Sequence, residues 1–82
     1  MKAVTYTADA AKDLKRHGNM ARRILKAVAE YAADPAAHTN NVTRLVGSQA
    51  SRMRMGDYRV IFVETDATIT VTRIGPRGDV YD

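Results

Sequence analysis

The stretch Ser51-Arg52-Met53-Arg54-Met55-Gly56-Asp57-Tyr58-Arg59-Val60-Ile61-Phe62-Val63 constrains the fold of this chain more than any other. Two runs of strand-forming residues flank Gly56-Asp57, a pair suited to a two-residue hairpin turn with glycine first. Such a turn fixes the register: Met55 faces Tyr58, Arg54 faces Arg59, and Arg52 faces Ile61. Side chains alternate across a strand, so Met53, Met55, Tyr58, Val60 and Phe62 share one face. Arg52, Arg54 and Arg59 share the other. Like charges directly opposite each other destabilise a ladder, so the fold gains nothing from facing Arg54 with Arg59. An anion such as a phosphate between them would give the arrangement a purpose. The alternative is a solvated sheet face whose arginines are neutralised by Asp57, Glu64 or Asp79.

At 82 residues the chain makes a single domain, 1–82, with a modest core. Without cysteine it has no disulfide framework and no thiolate metal site, which accords with a reducing, cytoplasmic location. No stretch is long and apolar enough for a membrane span, and the N-terminus lacks a signal-peptide core. The formal net charge of +4 favours nucleic acid or an acidic protein over a neutral metabolite. After Lys26 every basic residue is arginine: Arg44, Arg52, Arg54, Arg59, Arg73 and Arg77. Arginine presents a planar fork matched to phosphate, whereas lysine is the commoner choice for solubility alone.

Along the chain, Lys2 to Thr7 alternates as a first strand. Thr7 is placed to cap a helix from Ala8 to His17, with Asp9 in its first turn and Gly18 as its stop. Asn19 is placed to cap a second helix, from Met20 to Ala33, whose Met20, Ile24, Ala27, Val28 and Tyr31 face inward. Asp34-Pro35 ends it, because the residue before proline is pushed out of helical geometry. Outside, Lys12, Lys15, Arg16, Arg22, Arg23 and Lys26 make a basic helical surface. It reads as a solvated face or, more weakly, as an electrostatic landing surface for RNA, with Arg44 a further basic contact. A polar loop, Ala36 to Asn41, leads to Val42–Gly47 and the hairpin. Thr68 to Ile74 forms the last strand, with Ile69, Val71 and Arg73 expected on the face of Phe62, and Gly75-Pro76 breaks it. The order strand, helix, helix, three strands (β-α-α-β-β-β) predicts an α+β fold, two helices on one face of a small, mainly antiparallel sheet.

Three segments then resemble the RelE/ParE superfamily of bacterial and archaeal toxins, closer to RelE. They are Arg44-Leu45-Val46-Gly47, Arg52 through Phe62, and Arg73-Ile74-Gly75-Pro76-Arg77-Gly78-Asp79-Val80-Tyr81. The resemblance spans nearly the whole chain and is most specific at the Gly-Asp-Tyr-Arg turn. It implies the toxin of a type II toxin–antitoxin pair, held in a hetero-oligomer by a cognate protein antitoxin. RelE-like members cut messenger RNA on the ribosome: a ribose 2′-hydroxyl attacks the adjacent phosphate, with no metal or cofactor. By position, Arg52 and Arg54 match the two basic strand residues of that site. Arg59 matches the arginine after the turn, Arg77 the arginine after the last strand, and Tyr81 the terminal tyrosine.

The chain departs from that pattern in two ways. RelE commonly has lysine where Arg52 and Arg54 stand, and a lysine of lowered pKa can act as a base whereas arginine keeps its proton. Many relatives carry histidine near Gly75-Pro76-Arg77; here His17 falls at a helix end and His38 in a loop. Two other functions fit the resemblance: a ParE-type toxin that binds DNA gyrase, and a catalytically weak co-repressor that only binds its antitoxin.

Overall fold

The computed structural model describes residues 2–45, 47 and 49–76. In order, β1 is Ala3–Tyr6, α1 is Ala8–Arg16 and α2 is Gly18–Ala33. A 3-10 stretch, Pro35–Asn41, precedes β2 (Val42–Arg44), β3 (Ala50–Met55), β4 (Tyr58–Glu64) and β5 (Thr68–Pro76). Among the described residues the five strands form one sheet in the order β1-β5-β4-β3-β2. Only the β1–β5 pairing is parallel; the other three are antiparallel. The expected α+β architecture is therefore present, with β2 as an additional short strand.

The Thr7 cap forms as the sequence predicts: the Ala10 amide donates to Thr7 Oγ1 at 3.1 Å. The junction between the helices differs from expectation. Gly18 does not stop a helix but starts α2, and Asn19 is not its cap. His17 holds the non-helical geometry (φ −109°, ψ 49°) and serves both helix ends, with the Met20 amide donating to its carbonyl at 2.8 Å. Concentrating the break in one residue lets both helices keep their apolar sides on the same sheet face. Gly75-Pro76 likewise does not end β5, which pairs with β4 through Pro76. The proline closes the strand beyond the reach of β1, where a missing N–H costs no ladder bond.

The helix layer covers one sheet face. Ala10 from α1 and Ile24, Val28, Tyr31 and Ala32 from α2 pack against Met53, Val60, Phe62, Ile69, Val71 and Ile74. Phe62 is 1% exposed and its ring lies 5.4 Å from that of Tyr31. At one end of this core the Tyr31 hydroxyl donates to Glu64 Oε1 at 2.6 Å, and Lys2 Nζ pairs with Glu64 Oε2 at 2.7 Å. Burial and the Glu64 charge together push the Tyr31 hydroxyl pKa well above its ordinary value. Burial alone would raise the Glu64 carboxyl too, but Lys2 and Tyr31 outweigh it and hold it below the usual range.

One expected register fails. Phe62 pairs with Val71 but Ile61 pairs with Arg73, so a β-bulge leaves Thr72 as an extra residue in β5. Ile69 and Val71 lie on the core side as expected. Beyond the bulge the alternation inverts, so Ile74 joins the core and Arg73 is carried to the side of Ile61, exposed.

Candidate nucleic-acid interface

The hairpin register is the one its turn residues dictate: Met55 with Tyr58, Arg54 with Arg59, Arg52 with Ile61. Gly56 adopts φ +59°, the left-handed backbone that suits glycine, although a Cβ there would meet no atom within 4 Å. Conformation, not space, requires this glycine. The turn brings Arg54 and Arg59 directly opposite each other, with Cβ atoms about 4.5–5.5 Å apart by the geometry of such pairs.

Two rows cross the face turned away from the helices. One runs Thr43, Arg52, Ile61, Arg73, and the next runs Arg54, Arg59, Gly75. Arg54 is exposed, while Arg52 and Arg59 are half-buried. Arg59 Nη1 donates to the Tyr58 carbonyl at 3.2 Å and more weakly to that of Gly56 at 3.4 Å. This folds the guanidinium back over the turn. Among the described residues the ion pairs are Lys2–Glu64 and Arg73–Asp13, and neither involves Arg52, Arg54 or Arg59. Glu64, one of the candidate counter-charges, is engaged on the helix side; Asp79 lies outside the described residues. The register thus sets Arg54 and Arg59 opposite each other, with no described ion-pair partner for either.

Arg77 and Tyr81 also lie outside the described residues. Arg73 was expected among the core residues; the bulge instead puts it in the row of Arg52 and Ile61, and its guanidinium is held at the strand edge by Asp13 of α1. The signal for this was present: the apolar series Ile69, Val71, Ile74 slips by one residue after Val71. Arg44 does not join these rows. It stands opposite Ser51 and lines a polar pocket with Lys2, Gln49, Glu64 and Asp66. Lys12, Lys15, Arg16, Arg22, Arg23 and Lys26 are all exposed on the helix layer, on the other side of the sheet. The protein therefore has two basic surfaces separated by its core.

His17 stands at the α1–α2 junction, with its Nδ1 3.3 Å from the Tyr58 hydroxyl and the two rings edge to face at 5.3 Å. Tyr58 follows the turn on the core side, so His17 braces the hairpin rather than reaching the arginine face. Among the described residues no group of three or more His, Cys, Asp or Glu side chains could hold a metal ion. Among the described residues no helix is long and apolar enough to cross a membrane.

Comparison with known proteins places this geometry in context. The family described as ParE toxin of type II toxin–antitoxin systems matches residues 4–81. The archaeal RelE–RelB complex from Pyrococcus horikoshii contains a similar chain, 27% identical, with a TM-score of 0.75 over 96% of this chain and 98% of that one. A chain of the RelBE2 toxin–antitoxin complex from Mycobacterium tuberculosis is also 27% identical, with a TM-score of 0.63 over 93% and 98%. The Escherichia coli DinJ–YafQ complex shares the fold alone, at 18% identity and a TM-score of 0.76 over 99% and 98%. Among proteins with curated descriptions, none matches the chain in sequence.

Proposed function

Since the chain belongs to the ParE toxin family of type II toxin–antitoxin systems, we propose that this toxin is a ribosome-dependent messenger RNA endoribonuclease and that its arginine face grips the scissile phosphate. The carrying observation is Arg54 set opposite Arg59 with no described acidic partner. A stable sheet has no use for that repulsion, whereas a dianionic phosphoryl-transfer transition state does.

In the reaction, the ribose 2′-oxygen forms a bond to the adjacent phosphorus and the bond to the 5′-oxygen breaks. The products are a 2′,3′-cyclic phosphate and a free 5′-hydroxyl. The 2′-proton departs and the leaving oxygen gains one. Charge gathers on the non-bridging oxygens, where Arg54, Arg59 and Arg52 supply fixed donors. Arginine keeps its proton, so these residues bind and stabilise rather than act as bases. Proton handling falls to Tyr81, with Arg77 as a further phosphate contact, on the resemblance to RelE. With no strong base among the arginines, orientation of the message by the ribosome supplies much of the acceleration. The helix-layer residues Lys12, Lys15, Arg22, Arg23 and Lys26 would attract RNA without reading it.

The same reading gives the toxin a protein antitoxin as its resting partner, as in the RelE–RelB and RelBE2 complexes. A second reading, gyrase poisoning, is favoured by the ParE description of the matching family. Induced expression followed by separate translation and DNA-supercoiling assays decides between them. Translation should stop while supercoiling is intact; the reverse result selects gyrase, and neither effect leaves an antitoxin-binding co-repressor.

A further inference from the structure

Among the described residues Asp13 is the only charged side chain in the buried class, at 4% exposure. Burying a carboxylate is costly unless strong partners replace its water, and the partners here are specific. One oxygen, Oδ2, accepts from the Ile74 amide at 2.8 Å and from Arg73 Nε at 2.9 Å.

The need for it follows from the topology. β1 pairs with β5 only as far as Val71, and the Thr7 amide then donates to the Val71 carbonyl at 2.9 Å. There the chain turns away into α1, leaving the outer edge of β5 without a neighbouring strand among the described residues. Asp13, on the inner side of α1, takes the place of the missing strand at Ile74. The bulge at Thr72 is what brings Arg73 to the same oxygen.

Ile74 is followed by Gly75, which pairs with Arg59. Gly75 carries no side chain, so Arg59 has a bare strand on one side and Arg54 on the other. We propose that Asp13 is a positioning residue: by holding Ile74 and Arg73 it keeps Gly75 in register with Arg59 and so sets where the arginine face receives the phosphate. This rests on the nuclease reading. A displacement of the arginine fork of about 1 Å is enough to slow a positioned reaction by up to about a hundredfold.

The test compares Asp13→Asn with Thr7→Ala. Asp13→Asn keeps the size and an acceptor but loses the charge that binds Arg73. Thr7→Ala removes the α1 cap and the bond from Thr7 Oγ1 to the Thr72 carbonyl (3.0 Å), weakening the same helix–strand contact away from Ile74. Purified toxin is assayed for message cleavage on programmed ribosomes, and amide hydrogen exchange is followed at Ile74 and Gly75. Folded Asp13→Asn should cleave about ten- to a hundredfold more slowly at saturating ribosomes. Its half-saturating ribosome concentration should be unchanged, and both amides should exchange faster. Thr7→Ala should lose stability yet cleave at the wild-type rate. Wild-type cleavage or unchanged exchange in Asp13→Asn overturns the inference, as does equal slowing by Thr7→Ala. If the wild-type protein itself does not cleave, the nuclease reading falls. The exchange measurement then decides alone, and unchanged protection rejects the role of Asp13.

Discussion

The β3–β4 hairpin and the β4–β5 pair share a strand, run antiparallel and both carry arginine, yet they are held in different ways. In the hairpin, Arg52, Arg54 and Arg59 have no described acidic partner and the register comes from a two-residue turn. In the β4–β5 pair the register shifts at a bulge, and Arg73 is bound to a buried carboxylate that also closes the strand edge. The same residue type thus serves two ends. Arginine without a counter-charge costs stability and is available to a ligand; arginine with one is part of the scaffold.

The largest expected effect tests the core beneath both regions. Phe62→Ala should lose about 3–5 kcal/mol in urea unfolding, enough to unfold a domain of this size. Next comes the hairpin. Arg59→Ala should slow message cleavage by about a hundred- to a thousandfold while circular dichroism and unfolding are little changed. If folded Arg59→Ala and Arg77→Ala variants both stay fully toxic in growth assays, the nuclease assignment fails. Asp13→Ala should differ from Arg59→Ala in losing stability as well as cleavage, by about 1–3 kcal/mol, because the Ile74 amide is left buried without a partner.

Acid should separate the two regions as well. Burial by itself would raise the Asp13 pKa, but the bonds from Arg73 and Ile74 and the charges of Arg73 and Arg16 outweigh it and lower it. A lowered folded pKa gives stability that is present above the unfolded value, about 4, and lost as pH falls through the folded one. Glu64 acts in the same sense. Urea midpoints should therefore fall as pH drops below about 4, and less steeply in Asp13→Asn. A midpoint that is flat in wild type would remove the distinction between the regions. The smallest effect is the sharpest: Arg54→Gln should stabilise the hairpin by about 0.2–1 kcal/mol while reducing toxicity, since it relieves the Arg54–Arg59 repulsion. Arg54→Lys, which keeps the charge, should retain more toxicity than Arg54→Ala.

Sequence by itself determined the elements whose causes are local. A turn residue pair set the hairpin register, Thr7 set the start of α1, and Asp34-Pro35 set the end of α2. The period of the apolar residues chose the face of each helix and of β3 and β4. Where partners distant in sequence decide, local rules gave the wrong answer. Arg73 leaves the core because a carboxylate sixty residues earlier captures it, and Ile74 takes its place. Gly75-Pro76 continues a strand because β1 has already turned away, and β2 forms because β3 offers it an edge. Gly18 opens a helix rather than closing one because both helices must reach a single sheet face. Alternation and capping are properties of neighbouring residues, whereas a bulge, an edge and a buried ion pair are settled only when separate segments meet.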